Sequence, residues 1–232
     1  MSPEMKKLVF EANFSLKKHE LVLLTWGNVS VYDPSLGQVV IKPSGVAYET
    51  MKPDDMVVLD LEGNILEGAL KPSSDTLTHL EIYKHFKDVR AIVHTHSKWA
   101  TIFCQSKLDI PIFGTTHADY FSQPIPLTRD MKAEEIETDY EKNTGKVIVE
   151  TFQSRNISPT ECPAVLVSEH GPFVWGKTVK VAIEHAIVLE TIAEMAYHTM
   201  CLRKEKNGFN QALLKKHYER KHGQTAYYGQ KK

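Results

Sequence analysis

The stretch Ala91-Ile92-Val93-His94-Thr95-His96-Ser97 constrains this chain most: an apolar, β-branched run that ends in two histidines one residue apart. Side chains of a strand alternate faces, so His94 and His96 project from one side and Thr95 from the other. Two imidazoles at one strand end suit a zinc-like ion, which then needs a third protein ligand and an open position if it is to do chemistry. The alternative is an ordinary pair of hydrogen-bonding histidines.

With 232 residues and 42% hydrophobic content, the chain can bury one sizeable core, and a single domain over residues 1–232 is expected. The net charge of −1, with both signs scattered, argues against a nucleic-acid partner or a membrane surface. Lys215-Lys216 and Lys231-Lys232 read as solvated helix and tail residues. The charged stretch Met1 to Glu11 lacks the apolar core of a signal peptide, and no run reaches the length of a membrane span, so a cytoplasmic location is expected. Cys104, Cys162 and Cys201 are widely separated and outside any C-x-x-C arrangement, as reduced thiols would be.

Leu8, Ala12 and Leu16 recur at helical spacing, predicting a helix from Pro3 to His19. Strands are expected at Asn28–Tyr32 and Gln38–Lys42, joined through Asp33-Pro34-Ser35-Leu36-Gly37, and again at Met56–Leu61 and Ile65–Leu66. Ser73-Ser74 precede a short helix over Asp75–Phe86, and another follows the histidine strand from Ser97 to Gln105. Proline-bounded pieces around Ile112 and Ile125 read as strands, and Lys132–Gln153 as one helix despite the β-branched Val147-Ile148-Val149. Ala164–Val167 and Phe173–Trp175 are buried strands. The seam Ala182, Ala186, Leu189, Ala193, Ala196, Met200 predicts a long core helix over Thr178–Cys201, with His185 and His198 in structural roles. A last helix, Asn210–Lys221, stops at Gly223. Helices and strands intermix in one α/β unit without repeats.

Gly171-Pro172-Phe173-Val174-Trp175-Gly176-Lys177-Thr178 matches the letters of a nucleotide phosphate loop. Such a loop needs a nest of free backbone N–H groups, whereas Pro172 removes one and Phe173-Val174-Trp175 prefer extended backbone. More informative is His170, which follows a buried strand and has Gly171 beside it to admit a close approach. It reads as a third ligand or as a turn histidine. Lys42-Pro43-Ser44-Gly45 offers a cation, a hydroxyl and open backbone, Ser73 and Ser74 sit at a helix start, and Thr25-Trp26-Gly27-Asn28 adds an amide. These are anion-binding candidates or ordinary turns and caps. Thr115-Thr116-His117-Ala118-Asp119-Tyr120 gathers polar groups in an expected loop, and Tyr227-Tyr228 are aromatics in a polar tail, either packing anchors or phenols delivered to a site, a neighbour's included.

Together, Thr25-Trp26-Gly27-Asn28, Lys42-Pro43-Ser44-Gly45, Pro72-Ser73-Ser74-Asp75, His94-Thr95-His96, Gly114-Thr115-Thr116-His117-Ala118-Asp119-Tyr120, His170-Gly171-Pro172 and Tyr227-Tyr228-Gly229 closely resemble the class II aldolase and adducin-head family. Within it, the likeness is to the sugar-phosphate 4-epimerases. The resemblance implies a mixed, mainly antiparallel central sheet covered by helices on both faces. It also implies one zinc ion per subunit, with manganese or cobalt as substitutes, held by His94, His96 and His170 with Asp75 at its edge. Asp119 and Tyr228 become the acid/base pair, reaching the metal from an adjacent subunit of a homotetramer whose active sites lie between subunits. Asn28, Lys42, Ser44, Gly45, Ser73, Ser74 and Thr115 line the sugar-phosphate pocket, and His217 lies near the substrate. The aldolases of the family carry a Glu at the position of Asp75, and adducin heads are non-catalytic interaction modules.

Overall fold

A computed structural model of the chain describes residues 3–204 and 208–229, so Lys231 and Lys232 lie outside the described residues. Helix α1 (Pro3–Lys18) leads into the hairpin β1 (Asn28–Asp33) and β2 (Gln38–Ile41), then β3 (Val57–Asp60) and β4 (Ile65–Glu67). Helix α2 (Thr76–His85), β5 (Ala91–His94) and α3 (Lys98–Ser106) follow, with the short α4 (Thr115–Ala118) and α5 (Ala133–Glu137) before α6 (Tyr140–Ser154). Strands β6 (Ala164–Leu166) and β7 (Pro172–Gly176), the long α7 (Val179–Leu202) and α8 (Gln211–His222) complete the chain.

The strands form one seven-stranded sheet in the order β4-β3-β2-β1-β5-β7-β6. Every neighbouring pair is antiparallel; the parallel pairing is an isolated bridge between Leu127 and Leu166. Side-chain alternation sends Val29, Val40, Val93 and Val174 into a core shared with Val9 and Leu16 of α1, Phe103 of α3 and Leu189 of α7. It sends Val39, Ile92, Phe173 and Trp175 to the other face, against Leu80 and Tyr83 of α2 and Ile148 and Phe152 of α6. The sheet is thus covered by helices on both faces, as the resemblance implies, and among the described residues no helix is long and apolar enough to cross a membrane.

Where local pattern and fold disagree, a physical cause is visible. The buried seam of α1 runs through Val9, Ala12 and Leu16, leaving Leu8 exposed. Asn13 on the same face is buried because its side chain accepts from Val29 N (2.8 Å) and donates to Val29 O (3.2 Å), pinning β1 to the helix. The pieces around Ile112 and Ile125 form no strands among the described residues: they make isolated bridges, Ile110–Ile125 and Leu127–Leu166, since Pro111, Pro124 and Pro126 remove the ladder's donors. The expected Lys132–Gln153 helix breaks at Thr138 (φ −97°, ψ −96°), where Asn143 Nδ2 donates to Glu135 O at 2.9 Å. Val147, Ile148 and Val149 remain helical because burial against α2 and the sheet outweighs their β-propensity. Residues Thr115–Ala118, expected as loop, close one helical turn after Gly114.

Two core histidines tie stability to pH. Burial holds His79 at about 3, with His94 adding to the effect against Asp75, and holds His117 at about 4 against a hydrogen bond to the Gln123 carbonyl. Unfolded, each returns to about 6.5 and binds a proton that the folded state refuses. Stability of the metal-free protein therefore falls as pH drops below about 6.5, by up to about 1.4 kcal/mol per pH unit for each histidine. Urea unfolding at pH 7 and pH 5 checks this, and equal midpoints at the two values contradict it.

Candidate functional site

His94 closes β5, and its Nδ1–H donates to the Pro172 carbonyl at 3.0 Å while its ring stacks on Phe173 at 4.2 Å. That bond fixes the tautomer and leaves Nε2 with a free lone pair. The strand ends at His94, so His96 stands just beyond it, flanked by the Trp26 ring at 6.0 Å. The alternation expected from sequence persists nonetheless: the two Nε2 atoms converge to 3.2 Å. His170 arrives from the turn between β6 and β7, where Glu169 takes a positive φ of 59°. The close approach depends on Gly171, because a Cβ there lies 2.6 Å from the Thr95 carbonyl oxygen.

Ring nitrogens of His94, His96 and His170 all lie within 4.8 Å of one another. Burial and the neighbouring imidazoles push His170 down to about 3, and burial followed by His94 lowers His96. Three imidazoles whose ring nitrogens converge this closely have the donor set and spacing that fit a divalent cation. Asp75 stands at the edge, its Oδ2 3.9 Å from His94 Nε2. That oxygen accepts from Asn28 Nδ2 at 2.7 Å and from Ser73 Oγ at 3.4 Å. Among the described residues Asn28 Oδ1, buried beside them, has no hydrogen-bond partner.

The loops proposed to hold an anion are brought together. Ser44 N donates to Lys71 O and Ser73 N to Lys42 O, both at 2.9 Å, so Ser44-Gly45 and Ser73-Ser74 lie side by side near the start of α2. Gly45 takes φ +68° and, with Ser44 and Ser74, is exposed, whereas Ser73 is buried. Lys42 departs from its expected part. It is 2% exposed, its ammonium donates to the carbonyls of Thr25 (3.3 Å), Pro43 (3.3 Å) and Val46 (3.0 Å), and it lies over the Tyr48 ring. An ammonium taken out of water must saturate its donors, and these carbonyls do so. Lys42 thereby shapes the loops and offers no free donor to an anion in this arrangement.

A second polar group forms on α4 and α8. Asp119 Oδ1 accepts from His217 Nδ1 (2.9 Å) and Arg220 Nε (3.0 Å), and Oδ2 accepts from Arg220 Nη2 (2.6 Å). Burial raises its pKa, but the Arg220 and His217 hydrogen bonds outweigh that and hold the carboxyl below the usual range. Tyr228 is 59% exposed, its ring over Arg220 and Lys221 at 4.9 Å each. Thr115 is half-buried and accepts through its carbonyl from Asp119 N at 2.9 Å.

These two groups are not joined within one chain. The His cluster gathers at the Pro172 end of β7. The Asp119 group abuts the opposite end through Tyr120, whose ring meets His185, which in turn donates to the Trp175 carbonyl at 2.8 Å. Among the described residues no hydrogen bond, ion pair or ring contact links the clusters.

Two residues at these groups carried no signal of their own in the sequence. Tyr140, inside an expected helix, places its OH 3.5 Å from His170 Nδ1. Arg220 reads as one more solvated cation of α8 until its partner, distant in the chain, is known.

A histidine triad grading from buried His94 to exposed His96, at the end of an antiparallel sheet beside exposed serine and glycine loops, has the donor set of a metal site. Residues 7–197 match the family model described as class II aldolase and adducin N-terminal domain, and the chain belongs to this family. Its members are generally lyases or epimerases of sugar phosphates, typically dependent on a divalent metal and often oligomeric. Among solved structures, an L-fuculose 1-phosphate aldolase is 23% identical, covering 94% of this chain and 96% of its own, with a TM-score of 0.79. YgbL of Klebsiella pneumoniae, described no more narrowly than as an aldolase, epimerase or decarboxylase, is 21% identical over 93% of this chain and 99% of its own, with a TM-score of 0.72. The L-fuculose-1-phosphate aldolase of Thermus thermophilus is 24% identical over 87% and 98% of the two chains, with a TM-score of 0.64. Likeness at these identities establishes the fold.

Proposed function

We propose that this protein interconverts L-ribulose 5-phosphate and D-xylulose 5-phosphate as a metal-dependent 4-epimerase. The observation that carries the reading is the pairing of two proton-handling groups, Asp119–His217 and Tyr228, on one surface. The C4 hydrogen is β to the C2 ketone, so its removal gives no enolate. Inversion instead requires breaking C3–C4. The C4 hydroxyl proton leaves, the electron pair of the bond stays on the three-carbon fragment as the enediolate of dihydroxyacetone, and glycolaldehyde phosphate is released into the site. Rotation of that aldehyde and re-addition on its other face inverts C4, and the new hydroxyl takes up a proton from the opposite side. Taking the hydroxyl proton on one face and returning it on the other calls for two proton carriers, which the pairing supplies.

A divalent ion held by His94, His96 and His170, with Asp75 at its edge, supplies Lewis-acid stabilisation of the charge that develops on the substrate oxygens. Zinc, one per subunit, is the ion proposed, with manganese or cobalt accepted by the same donors. Ser44, Gly45, Ser73, Ser74 and Asn28 bind the phosphate and orient the substrate, Thr115 lines the pocket, and Lys42 holds the loops in place. His217 gives its Nδ1–H to Asp119, so the two act as one acid/base unit opposite Tyr228. Because that unit lies away from its own histidine cluster, it serves the cluster of an adjacent copy in a homotetramer of single-domain subunits. The shorter Asp75, in place of the Glu of the family's aldolases, favours epimerisation.

A coupled assay for D-xylulose 5-phosphate, run with L-ribulose 5-phosphate before and after chelation and metal restoration, tests this. Expected is turnover lost with the metal and regained with it. Accumulation of free dihydroxyacetone and glycolaldehyde phosphate instead identifies an aldolase.

A further inference from the structure

Arg220 makes more connections between the tail and α4 than any other residue of α8. Its guanidinium grips both oxygens of Asp119 through two different nitrogens, at 3.0 and 2.6 Å, a fork geometry that an ammonium lacks. The same guanidinium lies 4.9 Å from the Tyr228 ring centroid. Its backbone carbonyl accepts from both Tyr227 N (3.0 Å) and Tyr228 N (3.1 Å), so the tail folds back over the helix that carries it. Other side chains nearby do less: Lys221 faces the Tyr120 and Tyr228 rings, and His222 Nε2 donates to the Asp119 carbonyl. No other side chain touches both the carboxylate and the phenol ring among the described residues.

We infer that Arg220 is a positioning residue that sets Asp119 and Tyr228 in fixed relation, so that the two proton carriers are assembled by one guanidinium. It touches no reacting atom. This rests on the proposed function for its kinetic consequence, though the coupling of tail to carboxylate does not.

The test compares Arg220→Lys and Arg220→Ala with the unsubstituted enzyme, using L-ribulose 5-phosphate, guanidinium chloride as rescuing agent, and hydrogen exchange of the peptide spanning residues 223–229. Expected are a fall in kcat of about 10- to 100-fold in both variants with KM within about threefold. Millimolar guanidinium should recover Arg220→Ala but leave Arg220→Lys unchanged. The acid limb of the kcat/KM profile should also move to higher pH, because removing a cation from Asp119 lets its carboxyl hold a proton more tightly. Tail amides should exchange faster in both variants. Unchanged exchange and kcat in Arg220→Ala overturn the inference, as does a kcat loss that guanidinium does not recover with the pH profile unmoved. If the unsubstituted enzyme does not epimerise L-ribulose 5-phosphate, the functional reading fails while the exchange result still decides whether Arg220 couples tail and carboxylate.

Discussion

Replacing His96 by Asn is expected to lower turnover by about two to three orders of magnitude while leaving the fold intact. His96 is the exposed member of the triad, outside any strand, and its ring supports no core packing. The loss should therefore come from the metal alone. With one of three imidazoles gone, the remaining pair His94 and His170 cannot retain a divalent ion through dialysis, so metal content should fall from about one per chain to well below it. Linkage supplies an independent reading: an ion at about 100 times its dissociation constant stabilises the folded state by about 2.7 kcal/mol. Added zinc should thus raise the melting temperature of the unsubstituted protein and not that of His96→Asn. Full metal retention by the variant would falsify the triad as the binding site.

Asp119→Asn and Tyr228→Phe should each reduce turnover by about 10²- to 10⁴-fold, the range for removing a positioned acid or base. In Asp119→Asn the amide still accepts from His217 but no longer attracts Arg220, so this variant should lose more than Tyr228→Phe, whose ring keeps its place over Arg220. The stronger test mixes chains. If a site takes its metal from one copy and its proton carriers from the next, denaturing and co-refolding His96→Asn with Tyr228→Phe in equal amounts regenerates sites intact in both respects. Random assembly into a ring makes about a quarter of the sites complete, and activity should recover to that fraction. Two inactive parents that stay inactive after co-assembly would place both halves of the site in one chain.

Much of this architecture is legible in the sequence because it depends on neighbours in the chain. Alternation within Ala91–His94 carries Ile92 to one core and Val93 to the other, and the same alternation sets His94 and His96 converging. Gly171 beside His170 announced a close approach that the Thr95 carbonyl makes. Helical periodicity placed the seam of α7 from Ala182 to Ala196. These are consequences of a period of 2 or 3.6, which a short window contains in full.

Other features were decided where distant segments meet. Lys42 looked like a free cation, yet burial drove its ammonium onto the carbonyls of Thr25, Pro43 and Val46. Asp119 found Arg220, 101 residues away in the chain, and no local pattern marks either as the other's partner. The helix expected through Lys132–Gln153 broke at Thr138, and Tyr140 came to face His170. The sequence by itself determined most of the elements, the two faces of the sheet and the convergence of His94 with His96, because local stereochemistry and the apolar pattern dictate them, whereas His170 joined that pair only through the turn between β6 and β7. Only the tertiary structure decided which polar groups are spent inside the fold and which remain free, because desolvation and hydrogen-bond saturation depend on everything packed around a side chain.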